Sequence, residues 1–434
     1  MNLLQIGFGR EDFTPTEFPI SNNSTRYVTE VGDSIFASCL ALRWEDLTVL
    51  QFSLDLRNLY DKDYARVLAV IAEKTGIPPE CILLSATHNH SAPDISLNDR
   101  PDIDAWEKKI GLPAMCRAAE RALADLAPVT GAEGGRAETK KLSFVRRYFR
   151  EDGSFYGIAS PKSTSPLARS ESRADPELRA VRIHREGKKS VVLVNFQTHA
   201  ASGQGSHPTQ IHADFVGELR KKVEADGESL LMYLQGACGN ENCNANLPED
   251  REGWPGDCFH IGRKMAEDVA FALENAKPLS LDRLVLIRDE LTCRVNHKKT
   301  HLAEIAKEIQ KNPDKEERKK MMAEAGIENR YEVSAIIKRS AFGETRQMPL
   351  SALILGDLAM GFAPVELFDT CGKEFRDASR YPMTFFCGYT NGSHSYMPSA
   401  LAFPNGGYEA LECHYVPGTG EMIALKLLEM IHRS

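Results

Sequence analysis

The chain has 434 residues, of which 42% are hydrophobic and 26% charged, with a formal net charge of -8. These values are typical of a soluble globular protein, and the acidic excess argues against nucleic acid as a partner. No apolar run approaches the roughly 20 residues that cross a bilayer, so we expect no membrane insertion. The first residues lack the basic and hydrophobic regions of a signal peptide, which predicts a cytoplasmic protein.

The length allows one large α/β domain or two smaller ones. There is no internal repeat and no convincing linker, so we predict a single domain over residues 1–434. The ten cysteines include no C-x-x-C pair. In a reducing compartment they should be free thiols, and a cysteine-ligated zinc site is not expected.

Strands and helices alternate along the first 200 residues. In chain order they are predicted as strands around Ile35–Trp44 and Thr48–Leu54, a helix at Tyr60–Thr75, a strand at Cys81–Leu84, an alanine-rich helix over 102–126, and strands over 140–150 and 178–198. A polar loop over 158–175 lies between the last two. A loop of this length predicts an active-site flap or disorder.

The alternation continues in the second half. The predicted elements are a strand at Ser229–Gln235, a helix at about Cys258–Asn275, a charged helical stretch over 296–330, a hairpin of Ala352–Leu355 and Leu358–Phe362, and a strand at Phe385–Tyr389. This order predicts an α/β fold with a layered, mixed β-sheet core and flanking helices. The stretch 296–330 is interpreted as a solvated excursion; the alternative is a cap over the site or a homo-oligomer contact.

Two histidines follow the strand at Cys81–Leu84, in the run Ser85–Pro93. Side chains at i and i+2 of a strand point the same way, so His88 and His90 should leave it side by side. Such a pair can supply one metal ligand and one proton carrier. The alternative is a pair of half-exposed strand residues.

A second apolar strand, Val191–Phe196, also leads into a Thr-His step, at His199, and small residues follow it. Small residues allow a backbone or ligand to approach closely. Alone, His199 would be interpreted as a core histidine bonded to a backbone carbonyl. Together with His88, it predicts one shared metal centre.

An ordered set of motifs extends over nearly the whole chain. They are the Gly9–Pro15 region, Ala86–Ser91, Asn195–His199, Gln235–Gly239, Pro364–Glu366, and Gly388–Gly392 with Tyr396. Together they resemble the neutral/alkaline, non-lysosomal ceramidase superfamily, and specifically its zinc-dependent amidase domain. The resemblance implies a ceramidase N-terminal-domain-like fold.

The resemblance also implies a ligand set, with zinc held by His88, His199, Glu366 and Tyr396. Two imidazoles, a carboxylate and a phenol oxygen are acceptable zinc ligands. His90 matches the second histidine of the family motif, which lies near the metal without binding it. Glu366 could instead cap a helix beginning near Leu367. Iron or manganese could also occupy a site of this kind.

Further active-site residues follow from the same resemblance. Tyr408 matches the family's second active-site tyrosine, and Arg146 matches its arginine, with Arg147 left open as the alternative. Tyr396 and Tyr408 could instead be ordinary loop aromatics. Arg146 could be a strand-face residue paired with a surface carboxylate.

The sequence departs from the family at the nucleophile. Ceramidases have Gly-Asp-x-Ser-Pro-Asn after the central strand, whereas this chain has Gly239-Asn240-Glu241-Asn242-Cys243-Asn244. Asn242 occupies the serine position, and an amide is not a nucleophile. The chain also stops soon after the matched segments, so the domain appended to ceramidases is expected to be missing. Ceramide is therefore not the expected substrate.

We accordingly predict a zinc-dependent hydrolase that attacks an amide or ester of a small soluble substrate with metal-activated water. His90 would carry the proton, and Arg146 and Tyr408 would stabilise the oxyanion. Asn242 and Glu241 would contact the substrate.

Three alternatives stay open. His212 and Asp214 are a reserve pair near the site, or else exposed loop residues. Cys243 could replace the serine as a thiolate nucleophile. The chain could also be a catalytically inactive relative that binds a small sugar or acyl ligand.

Overall fold

The computed structural model describes residues 4–23, 26–95, 99–158, 163–243 and 257–433. The strands there are β1 (Gln5–Asp12), β2 (Ile20–Asn23), β3 (Arg26–Val28), β4 (Glu30–Val31), β5 (Phe36–Trp44), β6 (Leu47–Leu54), β7 (Ile82–Ala86), β8 (Ala127–Glu138), β9 (Phe144–Val145), β10 (Tyr148–Arg150), β11 (Phe155–Tyr156), β12 (Leu167–Ser170), β13 (Glu177–Arg185), β14 (Lys188–Phe196), β15 (Gln210–Ile211), β16 (Ser229–Gln235), β17 (Glu241–Asn242), β18 (Lys277–Pro278), β19 (Leu284–Arg294), β20 (Thr345–Leu355), β21 (Leu358–Phe362), β22 (Glu366–Leu367), β23 (Met383–Cys387) and β24 (Tyr396–Met397). The helices are α1 (Asp61–Thr75), α2 (Pro101–Trp106), α3 (Leu112–Ala124), α4 (Ser202–Ser206), α5 (Asp214–Val223), α6 (Cys258–Glu274), α7 (Ala303–Lys311), α8 (Lys315–Glu324), α9 (Arg330–Ser340), α10 (Asp369–Asp377), α11 (Gly407–Glu412) and α12 (Thr419–His432).

The largest sheet has the order β16-β14-β13-β8-β1-β5-β6-β7, with β18 beside β8. Its pairs are antiparallel except for β14–β16 and β6–β7, which are parallel. A second sheet has the order β19-β20-β21-β23 and is parallel only between β21 and β23. The predicted mixed α/β fold is confirmed.

The two sheets pack face to face between two layers of helices. Along β5, Leu40 and Leu42 join a core with Leu353 of the second sheet, whereas Cys39 and Ala41 pack toward α1 and α3. This is the two-residue alternation expected of a strand buried on both faces. Helices α5 and α6 cover the rest of the large sheet, and α10 and α12 cover the second sheet.

The helix predicted over 102–126 is interrupted. A π-helical turn at Glu107–Gly111 separates α2 from α3. Pro113 lies in the first turn of α3 and has no backbone N–H to donate to the preceding turn, which accounts for the break.

A central strand of the large sheet was missed. The strand β8 contains glycine, alanine and glutamate, which have low strand propensity, and a strand was predicted at 140–150 instead. Only the short β9 and β10 lie there. Tertiary packing explains why β8 contains glycine. Helix α6 lies so close to the strand that a Cβ on Gly135 would be 1.7 Å from the carbonyl oxygen of Ala272. The region 178–198 is two paired strands, β13 and β14.

The stretch 296–330 is partly packed. No residue of α8 is buried, as predicted for a solvated excursion. However, Ile309 of α7 forms a small apolar core with Ile336 of α9, just beyond the stretch. Helix α9 also contacts α11, where the Tyr331 ring meets Tyr408 with centroids 4.7 Å apart.

The described residues bear on two further predictions, that the cysteines are free thiols and that no segment crosses a membrane. All ten cysteines lie within them and are free thiols. In that part of the chain, no helix is long and apolar enough to cross a bilayer. Of the predicted flap at 158–175, β12 is described, whereas 159–162 lie outside the described residues.

Candidate metal centre

The carboxyl ends of β7, β14, β16 and β23 meet at one point. The side chain of Asn391, after β23, accepts from the Leu84 amide of β7 at 2.8 Å. The Gly236 amide, after β16, donates to Phe196 of β14 at 2.8 Å, and the Gly388 amide donates to Gln235 of β16 at 3.0 Å. These bonds bring together loops that lie far apart in the sequence.

Three histidines gather at this point. The rings of His88 and His199 have centroids 4.6 Å apart, and His90 Nε2 lies 3.0 Å from His88 Nε2. One nitrogen from each ring lies within 4.8 Å of the other two, which is close enough for all three to face one ion. The structure thus brings together the two strand-end histidines and His90.

Backbone carbonyls orient two of the three rings. His88 Nδ1 donates to Arg57 O at 3.0 Å, and His199 Nδ1 donates to Cys238 O and Glu241 O, both at 2.8 Å. Such bonds place the ring proton on Nδ1 and leave Nε2 unprotonated, as in metal-binding histidines. Burial lowers the pKa of all three imidazoles well below their ordinary value, which keeps the rings neutral.

The Glu366 carboxylate completes the cluster. Its Oε2 lies 3.6 Å from His88 Nε2 and 3.5 Å from His199 Nε2. Glu366 belongs to β22, and α10 begins only at Asp369 with Phe368 as its N-cap, so the helix-capping alternative is wrong. Two neutral imidazoles and one carboxylate facing one point are a donor set that fits a divalent metal.

Two tyrosines adjoin Glu366. The pairing of β22 with β24 places Tyr396 opposite Glu366. The hydroxyl of Tyr389 donates to Glu366 Oε2 at 3.2 Å, and its ring stacks on His88 at 3.9 Å. The sequence interpretation gave Tyr389 no role, although it lies in the quoted Gly388–Gly392 motif.

The second predicted tyrosine is also at the site. The rings of Tyr396 and Tyr408 meet edge to face, with centroids 5.2 Å apart. Burial raises the pKa of both phenols above their ordinary value. The two residues are packed together beside Glu366.

Arg146, and not Arg147, faces the histidines. Arg146 Nη1 lies 3.3 Å from His199 Nε2, and its Nε donates to Glu409 Oε1 at 2.7 Å. Arg147 Nη1 donates to the other oxygen of Glu409 at 2.7 Å, and its Nε donates to Glu171 at 2.6 Å. Burial would lower the pKa of Arg146, but Glu409 and Tyr396 reverse this and keep it above its usual value. Glu409 was not predicted, because nothing local in the sequence indicates this pairing.

The two predicted substrate contacts are placed differently. Asn242 lies beside His199, to which it is joined by a β-bridge. Glu241 is fully buried, and its carboxylate accepts from the Ser143 hydroxyl and, at 3.0 Å, from the Asp175 amide. Its carbonyl, rather than its carboxylate, meets His199. The Glu241 side chain is therefore not brought together with the histidines.

The reserve pair is structural. His212 and Asp214 are fully or almost fully buried, so the exposed-loop alternative is wrong. Asp214 accepts from the Gly203 amide at 2.7 Å, which ties the loop after His199 to α5. Burial lowers the pKa of His212 to about 4 and raises that of Asp214 to about 6.

The alternative nucleophile is buried. The thiol of Cys243 donates to the His199 carbonyl at 3.1 Å, and burial raises its pKa above the ordinary value. A reactive cysteine needs the opposite shift, so this position disfavours the thiolate. Asn244 of the same motif lies outside the described residues.

A second group of possible metal ligands is formed by His207, Asp257 and Cys258, whose ligand atoms lie within 4.8 Å of one another. Asp257 is the N-cap of α6, accepting from the Phe259 amide at 3.2 Å, and lies 3.4 Å from His207 Nε2. Helix capping accounts for the position of its carboxylate.

The backbone is strained around the candidate centre. Residues His88, Tyr389, Asn391 and Ser395 have positive φ angles between 51° and 78°. Such conformations are unfavourable for residues other than glycine and cluster at functional sites. These four residues all lie in the loops that carry the ligand candidates and the bonds between them.

No protein-family model matches the sequence, and no curated protein does. Among solved structures, the neutral ceramidase from Pseudomonas aeruginosa is similar, with a TM-score of 0.74 and 17% identity over 99% of this chain and 74% of that one. A structure described as ceramidase complexed with C2 has a TM-score of 0.70 and 16% identity, over 99% and 75% of the two chains. The chain therefore has the fold of the neutral ceramidases.

Proposed function

We propose that this protein is a zinc-dependent hydrolase that attacks an amide or ester bond of a small soluble substrate with metal-activated water. The observation that supports this most directly is the convergence of His88, His199 and Glu366, with Glu366 Oε2 3.5–3.6 Å from both Nε2 atoms. The neutral ceramidase fold is consistent with this class of chemistry.

His88, His199 and Glu366 would hold the metal, with Tyr396 as the fourth ligand. A bound divalent metal would lower the pKa of a coordinated water toward about 7 and would polarise the substrate carbonyl. The carbonyl bonds of the two histidines keep their Nε2 atoms directed at one point, and Glu366 contributes the negative charge that offsets the ion.

His90 is assigned as the proton carrier. It is half-buried, and within the described ranges its Nδ1 has no carbonyl partner like those of His88 and His199. A ring that is partly exposed to solvent suits proton transfer better than metal binding. Arg146 and Tyr408 would stabilise negative charge on the carbonyl oxygen, since both lie against Tyr396 at the same end of the cluster.

Asn242 supports a route without a covalent acyl intermediate, because it lies beside His199 where the motif would have a serine. The same residue is the one observation that favours the alternative function, a catalytically inactive protein that binds a small sugar or acyl ligand. We favour the hydrolase because a pure binding protein does not need two neutral imidazoles and a carboxylate that converge on one point.

Metal analysis and a substrate panel test the proposal. The purified protein is expected to contain one zinc per chain and to hydrolyse at least one member of a panel of small N-acyl and O-acyl compounds. Chelation should abolish the activity and zinc should restore it. A protein that purifies without metal, or that holds zinc but hydrolyses nothing, would support the binding protein instead.

A further inference from the structure

Two arginines outside the ligand set border the histidine cluster. The Arg57 carbonyl accepts from His88 Nδ1 at 3.0 Å, and Arg26 Nη2 donates to the His90 carbonyl at 3.0 Å. The backbone of Arg57 and the side chain of Arg26 therefore each contact one of these two histidines. Both charges, with that of Arg146, act on the half-buried ring of His90.

Neither guanidinium is saturated. Arg57 binds Asp94 through Nη2, and among the described residues its Nε and Nη1 have no partner, while its side chain keeps 24% of its exposure. Arg26 Nη2 also binds the Asn22 side chain, but its Nε is buried without a partner. No ion pair of Arg26 is seen in the described ranges. The two arginines thus offer unused donors next to the candidate metal centre.

The two guanidinium groups differ in how their charges are compensated. Burial and repulsion from Arg57 lower the pKa of Arg26. Asp94 pairs with Arg57, and Tyr60, Asp94 and Glu366 outweigh burial and keep the pKa of Arg57 above its ordinary value. Glu366 faces the histidines, and Glu409 is shared by Arg146 and Arg147. An anionic oxygen group bound between Arg26 and Arg57 would relieve the repulsion and use donors that match its geometry.

We propose that Arg57 and Arg26 form an anion subsite beside the metal centre, so that the substrate carries an acidic group near its scissile amide or ester. A carboxylate is the group we favour, and a phosphate has the same oxyanion chemistry. This inference rests on the proposed function for the position of the scissile bond. It also agrees with the doubt about ceramide, which carries no charge.

A matched set of non-hydrolysable ligands tests the subsite by binding alone. The probes are 4-oxopentanoate, 3-oxobutylphosphonate and the neutral 4-oxopentanamide, and the dissociation constants are measured calorimetrically on the zinc-loaded protein. We expect the carboxylate to bind about 10- to 100-fold more tightly than the amide, the range of one or two charge-assisted hydrogen bonds. Tighter binding of the phosphonate would identify phosphate as the anion.

Substitutions of Arg57 test whether the preference for the charged probe comes from the proposed subsite. R57Q should remove the preference for the charged probe without changing the affinity for the neutral one, and R57K should retain part of it. R117Q, at a surface arginine that pairs with Glu11, changes the net charge equally and should leave the preference intact. If R57Q fails to fold with Asp94 unpaired, the double variant R57Q/D94N replaces it.

Two outcomes would overturn the subsite: equal affinity for acid and amide in the unaltered protein, or a preference that persists in the Arg57 variants. Measurements of hydrolysis distinguish failure of the anion subsite from failure of the proposed hydrolase function. If zinc-loaded protein hydrolyses N-acetylglycinamide as fast as N-acetylglycine, the hydrolase stands and the subsite fails. If it hydrolyses nothing in any acyl panel but binds 4-oxopentanoate through Arg57, the subsite stands and the hydrolase fails.

Discussion

At the scale of single residues, what distinguishes the three clustered histidines is the partner of Nδ1. His88 and His199 donate from Nδ1 to backbone carbonyls, whereas His90 has no such partner among the described residues. A carbonyl partner fixes the ring and directs Nε2 to one point. The roles of ligand and proton carrier should therefore be separable by mutation.

We predict that His88→Ala or His199→Ala abolishes metal binding, whereas His90→Ala retains the metal and lowers turnover by roughly 10²–10⁴-fold. Metal content by mass spectrometry and kcat on the best substrate of the panel check this. Stoichiometric zinc in His88→Ala would show that the assignment is wrong.

Cys243 provides a second residue-scale prediction. Its thiol is buried with a raised pKa and donates to the His199 carbonyl, so it is not a nucleophile. Cys243→Ala should keep kcat/KM within about threefold of the parent protein, since it removes only a weak hydrogen bond. Complete loss of activity with zinc still bound would revive the thiol mechanism.

At the scale of elements, one buried carboxylate joins α11 to the segment after β9. Glu409 is 0% exposed and accepts from both Arg146 and Arg147. Removing one partner of a buried ion pair leaves the other charges uncompensated, which typically costs about 3–5 kcal/mol.

We therefore expect Glu409→Gln to lower the free energy of unfolding by about 3–5 kcal/mol, measured by urea denaturation, and to lower kcat because Arg146 loses its anchor. Glu171→Gln is the matched control, since Glu171 pairs with Arg147 and not with Arg146. It should destabilise the fold while affecting kcat much less. Equal effects on kcat would contradict a positioning role for Glu409.

The helix α9 contacts the candidate site through Tyr331, whose ring meets Tyr408 edge to face. Aromatic pairs of this kind contribute about 0.5–1.5 kcal/mol. Tyr331→Ala should therefore lower kcat/KM roughly 2- to 10-fold at unchanged zinc content, and Tyr331→Phe should restore it. An unchanged kcat/KM in Tyr331→Ala would mean that α9 only packs beside the site.

At the scale of the whole molecule, one buried histidine contributes to the response of stability to acid. His414 is 7% exposed, neither of its ring nitrogens has a partner in the described part of the chain, and burial lowers its pKa from 6.5 to about 3. Between these two values the unfolded chain binds the proton and the folded protein does not. Stability therefore falls as the pH decreases through this window.

His414→Leu should reduce this acid sensitivity by up to about 1.4 kcal/mol per pH unit between roughly pH 6.5 and pH 3. Urea midpoints measured along the pH scale check the slope. His260→Leu, at an exposed histidine, is the control and should leave the slope as it is. An unchanged slope in His414→Leu would show that His414 is not buried as a neutral ring.

Much of the architecture was predictable because it depends on neighbours in the chain. The strands that end before His88 and His199 are apolar runs bounded by turns, and α1 ends at a left-handed Gly76, with φ 71°. The strand β8 was not predictable in this way. Its glycines have little strand propensity, and its place depends on the packing of α6.

The sequence by itself determined which strands lead into histidines, because each is an apolar run followed by a Thr-His step. The alternation of side chains along a strand did not bring His88 and His90 together, since β7 ends at Ala86 and His88 has a φ of 60°. Only the tertiary structure decided that Arg146 rather than Arg147 faces His199, and that Tyr389 and Glu409 belong to the site. Arg146 and Glu409 are 263 residues apart, and Tyr389 and Glu366 are 23 residues apart in different segments. Contacts of this kind depend on the order of strands in two packed sheets, which no local pattern encodes.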